Sequence, residues 1–252
     1  MKTDVLVVKG VQFGADVPKI CVPIVERNRE TILAYAEKAL EQKPDLLELR
    51  IDWYESLYNV ESVISLLKDV RETIGETILL FTIRTKQEGG EADITVEEYE
   101  TLCARVCESG LVDFIDVEAF MEDGLLERMC KVAHDNGIYV IASNHDFEKT
   151  PEESEIVRRL TYMEKQGADI PKIAVMPTKE RDVLMLLSAT LGYKEQDGSK
   201  PVITMSMGKM GVVSRLCGEI FGSAVTFATA GKVSAPGQIA IEEMKSIFNV
   251  LH

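Results

Sequence analysis

The chain has 252 residues, of which 46% are hydrophobic and 28% are charged, a composition typical of a globular protein and not of a disordered or fibrous one. Nucleic acids and anionic membranes are not expected partners, because both favour proteins with a positive surface and the formal net charge here is −14. No apolar run approaches the roughly 18 residues that span a bilayer, and no signal peptide is visible. The five cysteines are widely spaced, without a CxxC pair or a disulfide framework, so we expect a cytoplasmic protein.

Two short apolar runs at the start of the chain, residues 5–9 and 11–13 with Gly10 between them, predict a small β-hairpin. Beyond it, short apolar β-rich runs alternate with longer segments whose apolar residues follow helical spacing, as in 60–74. The last predicted helix covers 236–251. The eight predicted strands are residues 19–25, 46–52, 77–85, 114–119, 139–146, 172–177, 202–207 and 224–230.

Two of the predicted helices begin with a capping sequence. Thr95 with Glu98 has the spacing of a capping box. Thr150 with Glu153 repeats that spacing, and Pro151 stands where the first helical residue is expected. Both threonines are therefore predicted N-caps.

Strands separated by helices must pair in parallel, because only a crossover returns the chain to the same end of the sheet. Eight such units can close into a (β/α)8 TIM barrel, which leaves no exposed edge. A doubly wound open sheet is the alternative, although no GxGxxG turn follows any strand. Because no linker or low-complexity tract interrupts the chain, we predict that residues 1–252 form a single α/β domain.

Several predicted strands carry charged side chains where buried parallel strands should be apolar. Alternation places both members of a pair such as Glu48 and Arg50 on the same face. A buried structural ion network could explain any one of these charges. Five charged strands together favour an enzyme site, since barrel active sites lie at the carboxyl ends of the strands. The ionisable residues concerned are Glu48, Arg50, Arg84, Asp116, Glu118, His145 and Lys172, the last of which is predicted to open its strand.

Lys172 is the candidate nucleophile. Met205 and Met207 on one neighbouring strand and Phe227 on another should wall it from water, and a desolvated amine near cations favours its neutral form. A neutral amine can attack a ketone and form a Schiff base. The alternative is a catalytically silent lysine paired with Glu48.

The only histidine at a predicted strand end is His145, which makes it the candidate proton shuttle. Glu88, four residues after Arg84 in a predicted flexible loop, could orient it. Arg50, Arg84 and Arg215 offer paired donors for a carboxylate or hydroxyls. No metal site is predicted, because the histidines do not cluster.

The ordered set of these segments resembles the type I 3-dehydroquinate dehydratase family. The resemblance extends from the second barrel strand to the last helix. The matching segments are Glu48-Leu49-Arg50-Ile51-Asp52, Phe81-Thr82-Ile83-Arg84-Thr85, Glu88-Gly89-Gly90, Ser143-Asn144-His145-Asp146-Phe147, Lys172-Ile173-Ala174, Met205-Ser206-Met207-Gly208 and Ser234-Ala235-Pro236-Gly237-Gln238.

The resemblance implies a barrel that dehydrates 3-dehydroquinate to 3-dehydroshikimate in the shikimate pathway. By the same resemblance Lys172 forms an imine with the substrate, His145 transfers protons, and Glu88 is the partner of His145. A cofactor-free homodimer is also implied. The implied substrate-binding residues are Arg215 for the carboxylate, Glu48, Arg50 and Arg84 for hydroxyls and carboxylate, and Ser234 and Gln238 on a closing loop at 232–236. Met205 and Phe227, predicted above to wall the lysine, complete the predicted substrate site.

Two other functions stay open at this point. A class I aldolase also needs a strand lysine, but its phosphorylated substrates favour a glycine-rich phosphate site that the 234–237 turn fits poorly. A barrel that binds a hydroxy acid as a sensor or scaffold would have no use for a desolvated amine.

Overall fold

The computed structural model describes residues 4–15, 17–196, 198–231 and 235–251. It contains a two-stranded antiparallel hairpin and an eight-stranded parallel sheet in the order β10-β3-β4-β5-β6-β7-β8-β9. A parallel bridge between Val202 and Ser223 joins the two ends of this sheet and closes the barrel. The strands are β1 (Leu6–Val8), β2 (Val11–Phe13), β3 (Lys19–Ile24), β4 (Leu46–Arg50), β5 (Ile78–Thr82), β6 (Phe114–Glu118), β7 (Tyr139–Asp146), β8 (Ile170–Val175), β9 (Ile203–Ser206) and β10 (Val225–Phe227).

The helices of the described residues lie between the strands and after the last one. They are α1 (Arg29–Glu41), α2 (Val60–Ile74), α3 (Val96–Ser109), α4 (Leu125–Asp135), α5 (Glu153–Lys165), α6 (Glu180–Lys194), α7 (Val212–Leu216), α8 (Gly218–Phe221) and α9 (Ile241–Leu251), with 3-10 turns at Ile51–Trp53 and Lys86–Glu88. The predicted (β/α)8 barrel and its N-terminal hairpin are confirmed, and the open-sheet alternative is excluded.

The barrel interior has two chemically different halves. Its lower half is apolar and packs residues of all eight strands against the hairpin, which contributes Val8 and Phe13. The Phe13 ring meets Phe114 of β6 edge-on, with 5.5 Å between centroids. Its upper half, at the carboxyl ends of the strands, holds the charged side chains. The hairpin therefore seals one end of the barrel and leaves the other for chemistry.

The capping box of α3 is confirmed, because Thr95 Oγ1 accepts from the backbone N–H of Glu98 while the Glu98 carboxylate accepts from that of Thr95. The one predicted at Thr150 is wrong. The hydroxyl of Thr150 donates to the carbonyl oxygen of Met176 at 3.1 Å, and α5 begins at Glu153 without a side-chain cap. Thr150 thus ties the β7–α5 loop to the end of β8.

Two predicted boundaries are also wrong. The last helix begins at Ile241 and not at Pro236, because Gly237 has φ = 82°, in the left-handed region that a helix cannot include. β8 begins at Ile170, which pairs with Ile141 of β7, so Lys172 is its third residue and lies inside the barrel. Among the described residues, no helix has both the length and the apolar character needed to cross a membrane.

Candidate active site

A pocket with about 490 Å³ of empty space opens at the carboxyl ends of the barrel strands. Ten of the eleven predicted site residues line it, and the eleventh, Ser234, lies outside the described residues together with 232 and 233 of the predicted closing loop. The ten are Glu48, Arg50, Arg84, Glu88, His145, Lys172, Met205, Arg215, Phe227 and Gln238. The structure brings these side chains together, and their individual roles stay predictions.

Strand alternation explains how the pocket gathers its residues. Ser143 on β7 is in register with Lys172 on β8, and His145 is in register with Ala174. Residues two apart on a strand point to the same side. Lys172 and His145 therefore face the same interior from neighbouring strands, one level apart along the barrel axis.

The amine of Lys172 is buried, with 3% of the residue exposed. Its Nζ donates to Oδ2 of Asp116 at 3.0 Å and lies 4.7 Å from the centre of the Phe227 ring. The predicted alternative partner, Glu48, instead accepts from the Thr82 hydroxyl at 2.9 Å. The lysine is thus paired across the barrel with a β6 carboxylate, which strand alternation does not specify.

Asp116 belongs to a buried network of charges. Its Oδ1 accepts from Arg84 Nη2 and from the Ser143 hydroxyl, each at 2.6 Å. Burial alone would raise the pKa of this carboxyl, but the positive charges of Arg84 and Lys172 hold the pKa at about 2. Arg84 also donates through Nη1 to Glu118 at 2.9 Å. Despite its burial, the carboxylates around Arg84 raise its pKa well above the ordinary value.

His145 and Glu88 form a second buried pair. Oε2 of Glu88 lies 2.8 Å from Nδ1 of His145 and accepts from the backbone N–H of the same residue at 3.0 Å. Burial lowers the pKa of His145 well below 6.5, with further lowering from Arg84, Lys172 and Arg50. A neutral ring that donates from Nδ1 carries its lone pair on Nε2, where it can accept a proton.

Glu88 is held by its own local fold. It ends a 3-10 turn, and Gly89 follows with φ = 78°. The Gly90 N–H returns to the carbonyl oxygen of Thr85 at 2.8 Å. Burial raises the pKa of Glu88, while Arg84 opposes that rise. The predicted flexible loop is therefore a hydrogen-bonded turn that presents this carboxylate to His145.

The arginines of the pocket differ in what they can still bind. Arg50 already forms two hydrogen bonds with Asp52, both at 2.8 Å. Arg215 has no carboxylate within ion-pair distance among the described residues, and its Nε has no hydrogen-bond partner there. Its Nη2 donates to the Pro236 carbonyl at 3.1 Å, and burial lowers its pKa to about 10. Arg215 is the buried cation best able to receive an anion.

Several residues at the site are not among the eleven predicted site residues. The Asn144 amide donates to Oε1 of Glu88 at 3.0 Å. The Phe147 ring stacks near His145, with 6.5 Å between centroids, and lines the pocket together with Gly89. Asn144 and Phe147 flank His145 in the 143–147 segment, so this segment was the sequence feature that could have identified them. Across the described residues, no group of three or more His, Cys, Asp or Glu side chains could hold a metal ion.

A buried amine and a neutral imidazole at the carboxyl ends of barrel strands define a TIM-barrel enzyme whose equipment suits nucleophilic and proton-transfer chemistry on a small molecule. The comparisons with known proteins narrow this class. Residues 20–252 match the model of the family described as Type I 3-dehydroquinase. The chain therefore belongs to the type I 3-dehydroquinase family, and it is an enzyme of that class.

Individual members of this family match the chain over nearly its whole length. It is 48% identical to 3-dehydroquinate dehydratase of Clostridioides difficile (strain 630), over 97% of this chain and 96% of the relative. The crystal structure of the type I enzyme from Clostridium difficile, with covalently modified comenic acid, has a TM-score of 0.96 at 47% identity and covers 100% of this chain and 99% of that one. The crystal structure of 3-dehydroquinate dehydratase from Geobacillus kaustophilus has a TM-score of 0.95 at 34% identity and covers 98% of this chain and 96% of that one.

Proposed function

We propose that this enzyme dehydrates 3-dehydroquinate to 3-dehydroshikimate in the shikimate pathway, through a Schiff base on Lys172. The observation that carries the proposal is that one pocket contains both a buried primary amine and a buried His145–Glu88 pair. The clostridial relative, whose crystal structure contains covalently modified comenic acid, supports covalent chemistry in this family.

The amine supplies an electron sink. Neutral Nζ attacks the substrate ketone, a C–N bond forms, and loss of water leaves a protonated imine. This iminium group acidifies the neighbouring C–H, because the electron pair released by that bond can move onto nitrogen. The resulting enamine returns the pair and expels the hydroxyl on the next carbon. Hydrolysis of the product iminium then frees the lysine.

His145 moves the protons. Its Nε2 takes the proton from the activated carbon and later gives it to the departing hydroxyl, which leaves as water. Glu88 holds Nδ1 and so fixes the tautomer and the ring plane, as the acid does in other His–carboxylate pairs. Imine formation and hydrolysis use the same imidazole.

The remaining residues bind and enclose the substrate. Arg215 receives the carboxylate, since its charge is otherwise uncompensated. Both Nη atoms of Arg84 already contact carboxylates, so Arg84 orders the charged network around the substrate. Closure of the 232–236 loop, with Ser234 and Gln238, would exclude water from the imine. Glu48 and Arg50 bind hydroxyls, and Met205 and Phe227 form the apolar wall.

Four wider proposals accompany this function. The family resemblance supports a homodimer that works without a cofactor. The lack of a linker supports a single domain over residues 1–252, and the cysteine pattern supports a cytoplasmic protein. Sedimentation at micromolar concentration tests the dimer directly.

Turnover of two variants tests the mechanism. Lys172→Ala should remove nearly all dehydration of 3-dehydroquinate, while His145→Ala should slow turnover and let the imine accumulate. Lys131→Ala, which removes an exposed lysine paired with Asp135, is the matched control and should leave turnover unchanged. Normal turnover by Lys172→Ala would refute the Schiff base. Binding without turnover by the wild-type protein would favour a sensor, and turnover of another ketone would favour an aldolase.

A further inference from the structure

The carboxylate of Asp116 touches the reactive amine, yet the proposed reaction gives it no step. Asp116 is 1% exposed, and its Oδ2 accepts from Lys172 Nζ at 3.0 Å. We infer that Asp116 is a positioning residue that keeps the lysine nitrogen protonated after the imine has formed. This inference rests on the proposed Schiff-base function and deepens it.

The carboxylate is held so that it cannot turn away. Oδ1 is fixed by Arg84 Nη2 and by the Ser143 hydroxyl, so Oδ2 stays directed at Nζ. The Ser143 hydroxyl is itself held by Arg84 Nη1 at 2.9 Å. Since the side chains of Asp116 and Lys172 are both buried, the attraction between the carboxylate and a positive nitrogen is much stronger than it would be at the surface.

No other acidic group of the described chain takes this place. Among the described residues, Asp116 is the only carboxylate within ion-pair distance of Lys172 Nζ. Glu48 of β4 faces the pocket, but its carboxylate accepts a hydrogen bond from the Thr82 hydroxyl. Arg84, just after β5, and the neutral His145 of β7 add no negative charge. On the remaining sides lie the Cys21 thiol of β3 and the Phe227 ring of β10. The negative charge at the lysine nitrogen is therefore that of Asp116.

A charge in this position has opposite effects on two steps. Before the reaction it stabilises the ammonium form, which cannot attack, so it slows imine formation. Afterwards it stabilises the C=N–H⁺ group, and only this protonated form withdraws the electron pair of the neighbouring C–H bond effectively. The nitrogen keeps its proton while His145 takes the carbon proton, and the released electron pair ends on nitrogen as the enamine forms.

Asp116→Asn separates these two steps, because it removes the charge and keeps the shape. Protein and 3-dehydroquinate are mixed rapidly and quenched with borohydride, the Lys172 adduct is measured by mass spectrometry, and 3-dehydroshikimate is followed by its absorbance. We expect the variant to form the adduct at lower pH than the wild type. Conversion of adduct to product should fall by about tenfold or more. A tenfold change corresponds to a shift of one unit in the pKa of the imine nitrogen.

Glu118→Gln is the matched control. It removes a negative charge from the same buried network, where Glu118 contacts Arg84 and Thr85 and has no bond to Nζ. Its ratio of adduct to product should stay near the wild-type ratio even if its stability falls. A shift in that ratio equal to the shift of Asp116→Asn would show a general effect of charge loss and would overturn the inference.

Two further outcomes are decisive. If the wild type forms no adduct, the Schiff-base proposal itself fails, whatever the variants do. If the wild type forms the adduct and Asp116→Asn converts it at the wild-type rate and pH dependence, only the role of Asp116 is wrong. Should Asp116→Asn not fold, Ser143→Ala loosens the same carboxylate and should shift the ratio in the same direction by a smaller factor. No shift there would also overturn the inference.

Discussion

Burial and hydrogen bonding determine the protonation states of individual side chains in this pocket. His145 is deprived of water and lies near three cations, so its neutral form is favoured. Oε2 of Glu88 accepts from the backbone N–H of His145 and lies 2.8 Å from Nδ1, so the tautomer that donates from Nδ1 has its lone pair on Nε2. At neutral pH the ring of His145 is therefore uncharged, the form that the proposed proton transfer requires.

The ring of His145 should stay neutral at pH 6.5, where an ordinary exposed imidazole is half protonated. Burial and the neighbouring cations lower its pKa, so protonation should begin only at more acidic pH. Nitrogen NMR of histidine-labelled protein measures this directly, and His145→Ala assigns the signal. A midpoint at or above 6.5 would contradict the electrostatic account of the site.

Only part of the site geometry could be predicted from the sequence. Alternation along β4 correctly places Glu48 and Arg50 in the same interior, because the side-chain period of a strand is fixed. It does not give the depth of each side chain or its neighbour across the barrel. The pairing of Lys172 with Asp116, and not with Glu48, depends on that stagger and therefore needed the structure.

Among the elements, the turn after β5 is built to fit the loop after β7. Gly89 has φ = 78°, and a Cβ there would lie 2.3 Å from Cε2 of Phe147. The glycine thus provides both a left-handed backbone and the space for a ring that shields His145. These two loops together form one wall of the pocket.

Gly89→Ala should displace Phe147 and reduce turnover by tenfold or more, on the order of the loss caused by misplacing a catalytic group. Gly137→Ala is the matched control, because Gly137 has φ = 74° and nothing within 4 Å of its added Cβ. Both variants should lose about 1–2 kcal/mol of unfolding free energy from backbone strain. Urea titration and steady-state kinetics separate these effects, and equal turnover of the two variants would refute the fit between the loops.

The elements themselves are the most predictable part of the chain. The predicted strands all exist, because a parallel strand is buried on both faces and reads as an apolar run. Helix starts are less certain. Thr95 caps its helix as expected, while the hydroxyl of Thr150 finds a carbonyl of another loop that the local sequence cannot reveal. Tertiary partners decide such positions.

Across the whole molecule, buried charge is concentrated in the upper half of the barrel above an apolar lower half. Arg84 contacts carboxylates from β6 and from the turn after β5, so its charge holds several elements together. Arg215 is as deeply buried but lacks an ion-pair partner among the described residues. We propose that Arg84 stabilises the folded state and that Arg215 binds the carboxylate of the substrate.

Two substitutions should therefore have opposite consequences. Arg84→Met leaves buried carboxylates without their cation and should lower the free energy of unfolding by about 3–5 kcal/mol. This loss should shrink toward pH 5, because carboxylates without a cation take up protons more readily in the folded state. Denaturant unfolding at pH 7 and pH 5 measures both effects, and a loss that grows toward pH 5 would be the wrong sign.

Arg215→Met removes an uncompensated buried charge, so the free energy of unfolding should change by less than about 1 kcal/mol or rise. KM for 3-dehydroquinate should rise by about 10–100-fold, since a charge-assisted hydrogen bond is lost. The same unfolding experiment and steady-state kinetics check this pair of outcomes. Strong destabilisation with unchanged KM would make Arg215 a structural residue.

The Schiff base on Lys172 is tested most directly by mass spectrometry of the protein after it is mixed with 3-dehydroquinate and reduced with borohydride. We predict one covalent adduct per chain, mapped by peptide analysis to Lys172 and absent from Lys172→Ala. A folded, unmodified protein in the presence of intact substrate would contradict the Schiff base, and an adduct on another lysine would contradict the assignment of Lys172 as its centre.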